Sequence, residues 1–481
     1  MNGVRFSLRK IMVNAVSIGG GEVANKASSF LVYAAVSRIA GLEAFGQLAL
    51  GLTLLYTCHV FGYAGLPTVL IRSVARRPRL AKRYLLQGYL AASMSSMLAA
   101  LAMVAVALTL RYQATTTQVI CVLAMAVPFW SLSMITEAII KGRDQMHLIA
   151  VGNLPGNVMM VLGSLTVLLL GYGVMGVALI VVLARLMTLL TLHFLTTFAL
   201  LSDWPSRDNL RLSQSLRLLW YSRLFLGTDG ITAIGASLFG VLLSKFTSES
   251  EVGILNAAFQ LLQPIQIMYR SVGHSIFPPL VNAAKASKQA VANLANLVSG
   301  LLMRLAFPAC LVMFVFAGDL LDLVYGNKGF RQGELVLQIV SFSLLFDPLN
   351  PVLGHGLWAI GADRAVFRIV LTNIIVGLVL GLILIGNFGL IGAAVSALVT
   401  SIVNTIQHYV MFTRQIASPG LLAVSVRLAL AILLSLAVVA LSPWSRFISL
   451  PLAISLYGLI VLAMTPTAVG LLNPLKKESP S

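Results

Sequence analysis

Acidic residues are scarce in this chain: 15 Asp and Glu stand against 33 Lys and Arg in 481 positions, and charged residues of both signs make up only 10%. Ordinary soluble domains carry about a quarter, so a large water-soluble body is excluded. Cysteine is nearly absent, and Cys58, Cys121 and Cys310 all fall inside apolar runs. That excludes a disulfide framework and a cysteine-based metal centre, and leaves the three as small core residues. Also missing are a Gly-rich phosphate loop ending in Gly-Lys-Ser/Thr, a metal-spaced His/Cys group and a Ser-His-Asp set in a recognisable context. The chain therefore does not read as an enzyme, no cofactor is expected, and ATP hydrolysis by this chain is excluded as a driving force. The basic start "RFSLRK" leads into a Gly-rich, polar-interrupted segment without a small-residue cleavage site, so the first helix reads as retained.

What is present is hydrocarbon: 58% of the residues are hydrophobic and the mean hydropathy is +0.94. Apolar runs of about 20 residues repeat along the whole length, enough for helices to cross a bilayer. Lipid leaves no partner for an open backbone, so these runs mean helices. Spans are expected near 11–40, 46–71, 84–110, 118–140, 148–170, 174–200, 219–245, 253–283, 291–317, 335–361, 366–387, 390–413, 421–442 and 449–472. The fold class is all-α integral membrane with about 14 transmembrane helices.

The charge has a direction. Loops on the side of the N-terminus hold Arg5, Arg9, Lys10, the run "RSVARRPRLAKR" (72–83), Lys141, Arg143, Arg207, Arg211, Arg217, Lys285, Lys288, Arg364, Arg368, Arg414, Lys476 and Lys477. The opposite loops hold Arg111, Lys328, Arg331 and Arg446. This asymmetry is the positive-inside pattern with both termini cytoplasmic. It accounts for the net charge of +18 without a nucleic-acid partner.

A repeat runs through the chain. "SRIAGLEAFG" (37–46) recurs as "SKFTSESEVG" (244–253), each opening on Ser and a cation and closing on Gly. Gly142 and Asp144 after the fourth span match Gly361 and Asp363 after the tenth, and "GVMGVA" (173–178) matches "GLIGAA" (389–394). The offsets are 207, 219 and 216, each six spans. Six is even, so both copies insert in the same orientation. The implied plan is two parallel six-helix lobes around a central cavity, 1–200 and 219–413, joined by a cytoplasmic linker over 201–218. Helices 13 and 14 and a cytoplasmic tail occupy 414–481.

The run "SRIAGLEAFGQLALGLTLLY…GYAGLPTVLIRSVAR" (37–76) follows the pattern "ARLGxxxFG" and then "GLxxxLxR…AR". It resembles the Wzx-type polysaccharide flippases of the multidrug/oligosaccharidyl-lipid/polysaccharide exporter superfamily. The resemblance implies alternating access by two lobes that move a polyprenyl-pyrophosphate-linked oligosaccharide from the inner to the outer leaflet. The setting would be O-antigen, exopolysaccharide or capsule biosynthesis at a bacterial inner membrane. It also implies a polysaccharide polymerase and a chain-length regulator as partners. In the related lipid II flippases the extra helix pair helps form a groove for the lipid tail, a role that would fall here to spans 13 and 14.

Seven ionisable residues sit deep in the spans: Glu22, Lys26, Arg185, Asp229, Arg270, Arg304 and Asp347. At roughly 3 kcal/mol each, seven facing lipid would cost about 20 kcal/mol, so they face a cavity or one another. Glu22 and Lys26 are one turn apart. They form either a neutralising pair or an anion ligand with a tuning acid, and the "GGG" before them (19–21) serves either bending or close packing. On span 8, Asn256, Gln260, Gln263, Arg270 and His274 share one helical face. Amides suit sugar hydroxyls and a guanidinium fork suits phosphate. This stripe, with Lys26, Arg185 and Arg304, is the candidate substrate wall, the ordinary alternative being helix contact.

Glu22, Asp229 and Asp347 are the candidates for coupling to H⁺ or Na⁺, because desolvation disfavours an unneutralised carboxylate. Asp347 lies in "DPLNP", where Pro348 and Pro351 interrupt the helical ladder. It serves either as a cation site or as the partner of Arg304 or Arg185. Arg72 and Arg76 mark a cytoplasmic entrance, or else topology charge in contact with anionic membrane lipids. Two rival functions remain on the page. A cation-coupled multidrug antiporter would favour an acidic cavity, whereas the deep charges here favour cations. A membrane glycosyltransferase or polymerase needs a larger external loop than "DLLDLVYGNKGFRQGEL" (319–335).

Overall fold

The computed structural model of the chain describes residues 8–200, 212–418 and 446–464. These residues form helices, with no strand among them. In chain order they are α1 (Leu8–Ala40), α2 (Leu42–Tyr63), α3 (Leu66–Arg76), α4 (Ala81–Thr109), α5 (Ala114–Ala124), α6 (Ala126–Gly142), α7 (His147–Leu169), α8 (Gly173–Leu200) and α9 (Leu212–Phe246). Then follow α10 (Glu249–Ala286), α11 (Lys288–Val315), α12 (Ala317–Tyr325), α13 (Glu334–Ser341), α14 (Ser343–Phe346), α15 (Leu349–Ala359), α16 (Asp363–Gln415) and α17 (Arg446–Met464). Nine stretches among the described residues are long and apolar enough to cross a membrane. The span expected at 421–442, linker residues 201–211 and the chain from 465 onward lie outside the described residues, as does the Glu22 side chain. Residues 212–218, expected in the linker, are the first turns of α9.

The chain divides into two compact units. The first holds the chain through Gln260 with Leu321–Gly333 and Ile374–Ser396, and the second holds Leu261–Leu320, Glu334–Asn373 and the chain from Ala397. In the first, Leu54 and Leu55 of α2 pack with Met103 of α4, Ile120 of α5, Val127 of α6 and Val181 of α8. In the second, Phe307 and Leu311 of α11 pack with Ala453 and Tyr457 of α17.

Where expected spans are cut, the chain itself supplies the reason. The single span expected over 46–71 is two helices, because Ala64 (φ 51°) and Gly65 (φ 68°) both turn left-handed. A Cβ on Gly65 would stand 2.8 Å from the Ser222 carbonyl oxygen and 2.5 Å from the Leu226 nitrogen, so only glycine lets α9 pass. The tenth span breaks at Asp347 and Pro348, where the proline-interrupted ladder was expected. Spans 11 and 12 run into each other as α16, kinked at Gly389. The "GGG" of α1 is helical throughout, and Gly21 faces Ala150 of α7.

The repeat is visible as reciprocal contacts inside the first unit. A Cβ on Gly46 would overlap the Glu249 carbonyl, and one on Gly253 would stand 3.0 Å from the Leu42 carbonyl oxygen and 3.2 Å from the Gly46 Cα. Gly46 and Gly253, like Leu42 and Glu249, are equivalent positions of the repeated frame. The two copies thus touch each other through the same residues, in a two-fold manner. The frame's cations behave alike. Arg38 Nε donates to the Val324 carbonyl at 3.0 Å and its Nη2 to the Leu323 carbonyl, at the end of α12. Lys245 donates to the Leu110 carbonyl, just past α4. Each cation caps a helix C-terminus that follows the start of the third span of the other copy, α12 after α11 for Arg38 and α4 itself for Lys245, where a helix dipole favours positive charge.

The third frame also holds, since Gly173 (φ 59°) and Gly389 (φ 52°) are both left-handed. The second slides by two residues. Gln145 N donates to Ile140 O at 3.2 Å and Ala362 N to Leu357 O at 2.9 Å, closing the same helix-ending turn around Asp144 (φ 57°) and Gly361 (φ 78°). The structural match is therefore Asp144 with Gly361, an offset of 217, which agrees with the third frame better than the 219 read from sequence.

Candidate functional site

Two constellations stand out, one in each unit. In the second unit, α14 ends at Phe346 and α15 begins at Leu349; the backbone between them keeps helical dihedrals, but Pro348 brings no N–H to the ladder. Asp347 itself stays in the ladder, its N–H donating to the Ser343 carbonyl at 2.8 Å, and the rung after it is the one left without a donor. Its Oδ1 accepts from Ser401 Oγ of α16 at 2.6 Å, and its Oδ2 from Gln266 Nε2 of α10 at 3.1 Å. Thr405 Oγ1 stands 3.0 Å from Asn350 Oδ1 and 3.2 Å from the Phe346 carbonyl. Gln266, Tyr269, Arg270, Asp347, Asn350 and Pro351 line a cavity of about 180 Å³. The carboxylate is thus held by neutral donors, and Arg270 shares its cavity without closing on it to ion-pair distance. A cation and an anion thus line the same cavity.

Other members of the span 8 stripe spread along α10. Asn256 Nδ2 donates to the Val252 carbonyl of its own helix at 2.9 Å. Gln263 Oε1 is buried without a partner among the described residues. His274 is exposed and meets the His355 ring edge-on at 5.2 Å, and Gln260 is half-buried. Arg304 on α11 is half-buried, and its carbonyl accepts from Tyr457 of α17 at 3.2 Å. Arg304 does not line the Asp347 cavity.

In the first unit, Arg185 of α8 lies with its guanidinium carbon 3.8 Å from the centroid of the Trp130 ring of α6. His59 of α2 stacks on the same indole at 3.7 Å and 8°. Two groups at such distances cannot share one face, so the indole is sandwiched. His59 Nδ1 is 2.6 Å from the Tyr56 carbonyl, and Tyr56 and Tyr63 rings flank His59 at 5.3 and 5.5 Å. Tyr63 Oη donates to Asp229 Oδ2 at 3.4 Å. Cation–π contact in a desolvated site is worth about 2 kcal/mol, which is how α8 carries a guanidinium inside apolar surroundings.

Lys26 is exposed on α1, beside Asn25, whose Oδ1 accepts from Asn157 Nδ2 at 2.6 Å. Arg72 and Arg76 are exposed on α3, whose Leu66, Leu70 and Val74 face inward, and Arg72 lies 5.1 Å over the Phe225 ring. Among the described residues no cluster of three metal-ligating side chains converges.

The structure brings together Arg270 and Asp347, and it leaves Arg304 apart from them. Sequence reasoning passed over Gln266, Tyr269, Asn350 and Ser401 at the one centre and His59, Trp130, Tyr56 and Tyr63 at the other. A signal existed for Gln266, which sits three residues after Gln263 and four before Arg270, on the stripe's own face.

A bundle of membrane-length helices, interrupted by proline and glycine beside charged side chains, defines a polytopic transporter-type fold. The chain belongs to the polysaccharide biosynthesis protein family, which matches it over residues 11–283. Among relatives, it is 24% identical over 185 residues to the probable low-salt glycan biosynthesis flippase Agl15 of Haloferax volcanii, covering 37% of this chain and 39% of that protein. The chain thus spans under half the length of that relative. Its fold is similar to the lipid II flippase MurJ in an inward closed conformation, with a TM-score of 0.76, 11% identity and coverage of 94% of this chain and 98% of that one. It is also similar to an inward-facing multidrug resistance MATE family transporter, with a TM-score of 0.66, 14% identity and coverage of 82% and 95%.

Proposed function

We propose that the protein is an alternating-access flippase that moves a polyprenyl-pyrophosphate-linked oligosaccharide from the inner to the outer leaflet of a cytoplasmic membrane. The setting is cell-surface polysaccharide biosynthesis, whether O-antigen, exopolysaccharide or capsule, with both termini cytoplasmic. The observation that carries the reading is the cavity in which Arg270 stands beside the amides of Gln266 and Asn350. A guanidinium fork suits phosphate oxygens and amides suit sugar hydroxyls. Family membership and the flippase relative support the same reading.

The lobes 1–200 and 219–413 exchange access to the two sides, and 414–481 receives the lipid tail. Arg72 and Arg76 collect the pyrophosphate at the cytoplasmic mouth, and Lys26, Arg185, Asn256, Gln260, Gln263, His274 and Arg304 line its route. Asp347 couples transport to H⁺ or Na⁺: a bound cation neutralises the carboxylate and leaves the Arg270 field to the pyrophosphate. Glu22 and Asp229 are the further coupling candidates. A polymerase and a chain-length regulator act on the delivered product.

Leaflet reorientation of a polyprenyl-pyrophosphate-linked oligosaccharide in proteoliposomes, read with a sugar probe that cannot cross lipid, tests the proposal. Acceleration by the protein that responds to an imposed ion gradient is expected. Absence of acceleration across several glycans, with gradient-driven efflux of a cationic dye, would replace the reading with a multidrug antiporter.

A further inference from the structure

We propose that Trp130 and His59 are positioning residues that hold the Arg185 guanidinium edge-on to receive a pyrophosphate group, an inference that rests on the flippase reading above. An arginine half-buried in an apolar span, as Arg185 is, ordinarily finds a carboxylate, which cancels its charge and uses its donors. Arg185 has found an aromatic face instead. It makes no hydrogen bond or ion pair among the described residues, and its Nε is buried without a partner. The neighbouring acid, Glu137 of α6, is already engaged, by Lys141 Nζ at 3.2 Å and by Asn153 Nδ2 at 3.3 Å.

Stacking uses the flat face of a guanidinium and leaves its five N–H donors in the plane, pointing sideways. The charge is stabilised without being neutralised, and no protein group among the described residues takes up the donors that a doubly oxygenated anion would use. What fixes the direction of that fork is the tilt of the indole. His59 sets the tilt from the opposite face, nearly parallel at 8°, and the Tyr56 carbonyl fixes the imidazole at 2.6 Å. The three layers come from α8, α6 and α2, so three separate helices contribute to one side-chain orientation.

The test measures affinity of the full chain in lipid nanodiscs for farnesyl pyrophosphate, with phosphatidylglycerol as competitor and thermal unfolding recorded for every variant. Trp130→Phe keeps a π face and is expected to bind within about threefold of wild type, whereas Trp130→Leu and Arg185→Gln each weaken binding about tenfold or more. Arg185→Lys, which keeps the charge but loses the planar fork, falls with them. The double variant Trp130→Leu/Arg185→Gln is expected to be no weaker than either single one, the mark of groups acting as one unit.

The inference is overturned by a Trp130→Leu protein that melts lower yet binds farnesyl pyrophosphate normally, by losses that multiply in the double variant, or by full displacement of the probe by phosphatidylglycerol. It is overturned too by a wild-type chain that does not bind the probe. A wild-type chain that binds the probe with the expected pattern but accelerates no leaflet reorientation sinks the flippase reading and leaves the geometry of Arg185 intact.

Discussion

Asp347 survives inside the membrane by accepting from neutral donors rather than by meeting a cation. Removing one donor should therefore be felt strongly. Ser401→Ala deletes the 2.6 Å bond to Oδ1 and should lower stability by about 1.5–3 kcal/mol, the usual worth of a hydrogen bond to a charged group. In an Asp347→Asn background the same substitution should cost well under half as much. Thermal unfolding of the four proteins in one detergent checks this, and equal losses in both backgrounds would break the link between the two residues. At this scale the sequence spoke through its charges. Asp347, Arg270 and Arg185 were legible because an ionisable group in an apolar run demands compensation. Ser401, Gln266 and Trp130 were not, because neutral polar and aromatic residues are at home anywhere in a membrane helix and these come from three distant stretches of chain. The same silence hides the stack: the sequence marks Arg185 as a deep charge and a candidate wall residue, and says nothing of the aromatic rings it lies against.

Helix positions followed closely from the apolar runs, since length and hydrophobicity are what the bilayer selects. Helix interruptions followed less well. The break at Asp347-Pro348 was announced by its prolines, whereas the break at Ala64 was hidden in "GYAGLP", a turn signal inside an otherwise apolar run. Gly65 offers a clean comparison with Gly171, because both are left-handed but only Gly65 is closely approached, by the α9 backbone. Gly171→Ala should cost about 1–2 kcal/mol from its backbone alone. Gly65→Ala should cost roughly 2–4 kcal/mol, since it adds overpacking to the same strain. Unfolding midpoints of the two variants decide the point, and an equal shift for both would mean that α9 yields freely to the added methyl group.

On the scale of the whole molecule, the distribution of Lys and Arg predicts the orientation of every loop. In a variant whose Cys58, Cys121 and Cys310 are replaced by Ser, a membrane-impermeant thiol reagent added outside intact cells should label Lys328→Cys and leave Asp144→Cys and Arg364→Cys unlabelled. The reverse pattern would invert the topology. The repeat was readable because glycines mark most of the positive-φ turns, and two of its three frames fall where they were expected. The frame that slid did so because Asp took over the left-handed place that Gly holds in the other copy, so residue type and backbone position came apart.

The contact between Gly46 and Gly253 has one more consequence. A surface that meets its own copy through identical positions is self-complementary, so a single six-helix segment already contains both sides of the seam. Two separate copies of such a segment would pair head to head through this frame with no new residue required. Joining them into one chain fixes the pairing and sets each copy free to specialise elsewhere, Arg185 and its aromatic partners in one and Asp347 with Arg270 in the other. At the seam that freedom is withdrawn: a side chain added to either glycine lands on the backbone of the opposite copy, so neither half can drift there alone.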